Sequence, residues 1–135
     1  MINNLVAAVK QLKQRYPSMY LSMAPEHPYV QGGFVAYSGI WGAYLPMIDQ
    51  LRNELDLLHV QLYNNGGLST PYRGQAYPAG SVDMMVSSAL MLMEGFPLAG
   101  GDFPPKRFLG LQQRVELLLQ VAEGLFLFRH IRIEG

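Results

Sequence analysis

Two short and mostly apolar runs, residues 19–24 and 57–63, each follow a stretch with helical periodicity, and this alternation constrains the fold more than any other feature. Leu5, Val6, Val9 and Leu12 recur on one face while Lys10, Lys13 and Gln14 fall elsewhere, which predicts an amphipathic helix. Asn3 or Asn4 is its expected cap, Lys13 and Arg15 suit the negative end of its dipole, and Pro17 stops it. The run 19–24, closed by Pro25, reads as a buried strand. After a loop rich in glycine and aromatics, 31–42, a second helical pattern carries Leu45, Ile48, Leu51 and Leu55. The run 57–63 is the second strand, ended by the turn-forming Asn64, Asn65, Gly66 and Gly67. Ser81 can cap a third helix with a stripe of Val82, Met85, Val86, Ala89, Leu90 and Met93, and Gly95 lies past its end.

Helices alternating with strands predict parallel strands joined by helical crossovers, an α/β arrangement with a parallel sheet. Both faces of such a sheet are covered, so polar residues at a strand's carboxyl end need a reason. His59, Gln61 and Tyr63 alternate and therefore share one side, with Asn64 just beyond. Chemistry is expected there, because the carboxyl ends of barrel strands carry active sites.

Composition narrows the partners. Ten basic residues balance ten acidic ones, so no field of one sign draws in nucleic acid or an anionic membrane. The chain has no cysteine, which removes disulfides and thiolate metal sites. His27, His59 and His130 lack metal-ligand spacing, so neither a metal nor another cofactor is expected. No run is long and apolar enough to span a bilayer, and the first residues lack signal-peptide features. The methionines at 84, 85, 91 and 93 read as core filler, Lys106 and Arg107 as a solvated pair, and 95–101 lacks the spacing of a phosphate loop.

Several blocks carry a specific resemblance: YLSMAPEHPYVQGG from Tyr20 to Gly33, IWGAYLPMID from Ile40 to Asp49, HVQLYNNGG from His59 to Gly67, then AGSVDMM and EGFPLAGG. In this order they resemble the family 18 glycoside hydrolases, specifically bacterial chitinases of the D type, over roughly residues 3 to 105. The resemblance implies a partial (β/α)8 TIM barrel, about strands five to seven with their helices. It also implies hydrolysis of β-1,4-linked N-acetylglucosamine in chitin, assisted by the substrate's own acetamide. By resemblance, Tyr63 donates a hydrogen bond to the acetamide carbonyl oxygen, Gln61 and Asn64 contact the sugar, Met23 and Glu26 line the cleft, and Trp41 offers a stacking surface.

The departures are as informative. The family's acid-bearing motif D-x-x-D-x-D-x-E does not occur, and the aspartates stand isolated at 49, 56, 83 and 102. The expectation is a chitinase-like chain inactive in isolation. Its alternative roles are a weak chitin-oligosaccharide binder, a remnant, or a fragment complementing a separate N-terminal half-barrel. Residues 1–110 are read as the central to C-terminal part of the catalytic barrel and 111–135 as a divergent tail. Moving the codons of 118–127 by one frame can restore a family-like continuation, so a frameshift near Leu118 is the hypothesis, testable in the encoding DNA. The parent family is typically secreted, the compartment of this chain is left open, and exposed barrel surface predicts a marginal or self-associating fold.

Overall fold

The computed structural model describes residues 1–100 and 107–111 and, as backbone, two later strands, Glu116–Val121 and Gly124–Phe128. Expectations placed on Lys106, His130 and most of the 111–135 tail lie outside the described residues.

Helix α1, Ile2–Arg15, is capped two to three residues earlier than expected: Met1 is the N-cap and contributes no side-chain bond, so Asn3 and Asn4 sit inside the first turn. Of its apolar stripe only Val6 is buried, while Leu5 and Leu12 stay about half exposed. What ties its end to the sheet is polar. Lys13 Nζ donates to Asp56 Oδ2 at 2.7 Å, and the same oxygen accepts the Leu21 N–H at 2.8 Å. These bonds, Leu21 first, hold the Asp56 carboxyl below its ordinary pKa.

Strand β1, Ser22–Met23, pairs in parallel with β2, Leu57–Gln61, with Ser22 opposite Leu57. Strand β1 is shorter than the run 19–24. Helix α2, Leu45–Gln50, is likewise shorter than its pattern; Leu51 and Leu55 lie in the turn after it yet remain buried. In β2 and just beyond, Leu58, Val60 and Leu62 are buried while Leu57, His59, Gln61 and Tyr63 are half-buried. The expectation of a strand covered on both faces is therefore corrected. Apolar residues of α2 and of α3, Val82–Glu94, join the cluster on one face, and no described layer seals the other.

The next strands alter the sheet again. Strands β3, Leu68–Thr70, and β4, Arg73–Tyr77, form an antiparallel hairpin absent from the expected order. Strand β5, Gly95–Pro97, pairs antiparallel with β6, Arg107–Leu109. Strand β7, Glu116–Val121, lies parallel to β2 on the side away from β1, and β8, Gly124–Phe128, returns antiparallel, giving the order β1-β2-β7-β8. The wholly parallel sheet is thus overturned. Only two residues separate β7 from β8, enough for a hairpin and far too few for a parallel crossover. Among the described residues the sheet is open and no barrel closes.

The cap of α3 is as expected, Ser81 Oγ accepting the Met84 N–H at 3.2 Å. Its buried face is rotated from the expected stripe, however. Met84, Met91 and Leu92 are fully buried, while Val82 and Val86 face out. The 31–42 loop packs back to back with itself at two glycines: a Cβ on Gly42, which has φ +70°, would stand 2.8 Å from the Gly33 Cα.

Candidate functional site

The carboxyl ends of β1 and β2 lie side by side because the strands are parallel, and the chain leaving each brings its polar residues to one edge. Pairing continues past β1 as a parallel bridge between Glu26 and Gln61, with the Gln61 N–H donating to the Pro25 carbonyl at 2.9 Å. The Gln61 side chain reaches the same segment, its Nε2 donating to the Ala24 carbonyl at 2.8 Å. Gln61 thus locks the two strand ends together through both main chain and side chain.

Asn64 adopts the left-handed conformation, φ 60°, which asparagine tolerates better than most residues and which starts the turn. Asn65 then folds back. Its Nδ2 donates to Glu26 Oε2 at 2.7 Å and to the Tyr63 carbonyl at 3.0 Å, so one amide holds the exposed carboxylate and the tyrosine backbone. Asn65 was seen in the sequence only as a turn former. Its place two residues after Tyr63, in a doubled Asn pair, was the available signal.

Met23 is half-buried in β1 and packs against the core cluster, so it is partly structural. Glu26, Gln61, Tyr63 and Asn64 are brought together at the edge. Trp41 is not in that group. It lies in the 31–42 loop, with its ring so close to Gly32 that a Cβ there would be 2.6 Å from Trp41 Cε3. It helps line a separate cavity of about 150 Å³ together with His27, Gln31, Val35, Leu68 and Ser69, and none of Met23, Glu26, Gln61, Tyr63 or Asn64 lines it.

His27, next to Glu26, is buried, and burial holds its imidazole below the ordinary pKa of 6.5, against the opposing pull of the Gly66 carbonyl and of the Glu26 charge. The ring is therefore neutral near pH 7. Its Nε2 has no partner, which leaves Nδ1 as the nitrogen bonded to Gly66. Sequence reasoning weighed His27 only as a metal ligand and passed over its anchoring of the turn. The Glu26 carboxylate and the Gln61 and Asn65 amides form an uncharged-to-acidic polar edge, which the Tyr63 carbonyl joins. Such an edge suits a neutral ligand rich in hydroxyl and amide groups.

No protein-family model matches the chain. Among curated proteins it is 47% identical over 104 residues to Chitinase Chi52 of Paenibacillus xylanexedens, and equally so to Chitinase D of Niallia circulans. Each alignment takes in 76% of this chain and 20% of the relative. The chain thus spans about a fifth of the length of these relatives. Among solved structures, a family GH18 chitinase from Chromobacterium violaceum superposes with a TM-score of 0.79 at 58% identity, over 86% of this chain and 31% of that one. The C-terminal domain of Legionella pneumophila ChiA shares the fold at a TM-score of 0.67 with 18% identity.

Proposed function

We propose, from the premise that this chain belongs to the family 18 chitinases and carries part of their length, that its polar strand edge binds β-1,4-linked N-acetylglucosamine. The observation that supports this reading most is the joining of Glu26, Gln61 and Tyr63 at one end of two parallel strands through the Asn65 amide and the Gln61 amide. In the proposed complex the Tyr63 hydroxyl donates to the acetamide carbonyl oxygen of the sugar at the cleavage point. That bond orients the acetamide oxygen toward the anomeric carbon, so the substrate itself serves as nucleophile. Gln61 and Asn64 contact the same sugar, and Met23 and Glu26 wall the cleft.

Proton donation to the glycosidic oxygen needs a carboxylic acid above this edge, and the D-x-x-D-x-D-x-E motif does not occur in these 135 residues. In this reading the acid comes from sequence outside them. Strands β1, β2 and β7 take the places of the fifth, sixth and seventh strands of a barrel, and β8 is an addition. A complementing role is favoured by one observation: β1 has no strand on its far side among the described residues, an open edge where a fourth strand would pair.

The test is hydrolysis of a fluorogenic N-acetylglucosamine oligomer by the purified chain, with and without an added N-terminal half-barrel carrying the acid. Turnover only on mixing is the expected result. Turnover by the chain alone would overturn the placement of the acid, and calorimetry showing no binding of chito-oligomers would overturn the reading itself.

A further inference from the structure

The turn after β2 holds a reactive pair of residues. Asn65 is the one asparagine of the chain that a glycine follows. The backbone nitrogen of a glycine can approach the side chain before it, because no Cβ crowds the nitrogen or restricts the backbone that must turn toward it. Asn64 precedes another asparagine and lacks that freedom.

The surroundings of the pair favour the reaction and give it a consequence. Gly66 is exposed, and a Cβ built on it would meet nothing within 4 Å. Among the described residues no main-chain hydrogen bond engages its N–H, while its carbonyl is anchored by the buried His27. Asn65 Nδ2 has two acceptors at once, Glu26 Oε2 at 2.7 Å and the Tyr63 carbonyl at 3.0 Å. A carboxylate and a carbonyl only accept, so these partners fix which way the amide points. Both bonds rest on the one nitrogen that deamidation removes.

We propose that Asn65 is a self-modification site, at which deamidation releases the turn from the segment leaving β1. The Gly66 nitrogen attacks Asn65 Cγ, its proton leaves with the side-chain nitrogen as ammonia, and a cyclic imide joins the two residues. Water then opens the ring at either carbonyl, leaving aspartate, or isoaspartate where the main chain now runs through Cγ. The co-reactant is water alone. The new carboxylate has no hydrogen to donate and faces the Glu26 carboxylate across the contact that the amide made, so attraction gives way to repulsion. The two bonds also hold the amide in place, so loss of Glu26 should speed the reaction. None of this depends on the ligand that the strand edge takes.

The purified full chain is incubated in mildly alkaline buffer, digested and mapped by mass spectrometry. The expected result is an amide-to-acid mass change at residue 65, with aspartate and isoaspartate forms resolved by chromatography, and none at Asn64. Gly66→Ala, which the open space admits without a clash, should slow the change about tenfold. Glu26→Ala should speed it about fivefold, the size of one lost hydrogen bond. A residue 65 that stays an amide in the folded chain while the urea-unfolded chain converts, or a wild-type rate in Gly66→Ala, overturns the site; an unchanged rate in Glu26→Ala removes the bonds as its brake. The consequence has its own readout: Asn65→Asp should lower the urea midpoint further than Asn65→Ala, and adding Glu26→Gln should recover the difference. Equal midpoints for Asn65→Asp and Asn65→Ala overturn the repulsion. Because no sugar enters these measurements, failure of chito-oligomer binding leaves the site standing, and binding without conversion removes this inference and leaves the reading of the strand edge.

Discussion

Asn65 and His27 act at the scale of single side chains, and each makes a measurable claim. Asn65→Ala removes the two bonds that hold Glu26 and the Tyr63 carbonyl. Because the site is partly exposed, the expected loss of stability is about 1 kcal/mol, and chito-oligomer binding measured by calorimetry should weaken with it. His27 is buried with its pKa lowered below 6.5, so the unfolded chain takes up its proton at higher pH than the folded one. Its contribution to stability is therefore full above pH 6.5 and falls as the pH drops from there toward the folded pKa. Urea midpoints measured on either side of pH 6.5 should diverge in the wild-type chain and converge in His27→Gln. Equal divergence in the variant would remove His27 as the cause. Neither role was legible in advance. A lone histidine next to a proline carries no sign of its burial, and the partner of Asn65 lies 39 residues away.

At the scale of elements, α3 shows what a local pattern conveys and what it misses. Ser81 was legible as its cap, since a cap needs only its own residue and the amide three positions on. Ser81→Ala should cost about 1 kcal/mol in chemical denaturation. The buried face departs from the apolar stripe because it takes in two serines, Ser87 and Ser88. The structure buries both, with Ser88 bonded to Gln31 across 57 residues. Helix α1 presents the reverse case: its apolar stripe predicts burial, but its end is held by Lys13 and Asp56. The pair is partly exposed, with Asp56 37% accessible, so Lys13→Met should cost no more than about 1 kcal/mol. A change in the urea midpoint well beyond that would mean the lysine stem also packs.

For the whole molecule, the open sheet is the governing fact. Among the described residues strand β1 has a free edge, and β2 turns its half-buried His59, Gln61 and Tyr63 face toward no described layer. Free edges and uncovered faces favour association. The thermal midpoint is therefore expected to rise with protein concentration, and sedimentation should show species larger than the monomer. A concentration-independent, reversible transition of a monomer would count against this.

The sequence by itself determined the elements whose causes are local, and it determined the kinship. The helix positions, the two strands with their polar carboxyl ends, the Asn64 turn and the blocks of family likeness all rest on neighbouring residues or on order along the chain. Only the tertiary structure decided the pairing of β7 beside β2, the antiparallel return of β8, the single covered face of β2 and the place of Trp41 at a cavity that Tyr63 does not line. Those features depend on which distant segments meet. Periodicity records which residues share a face of one element and holds no information about what that face will touch.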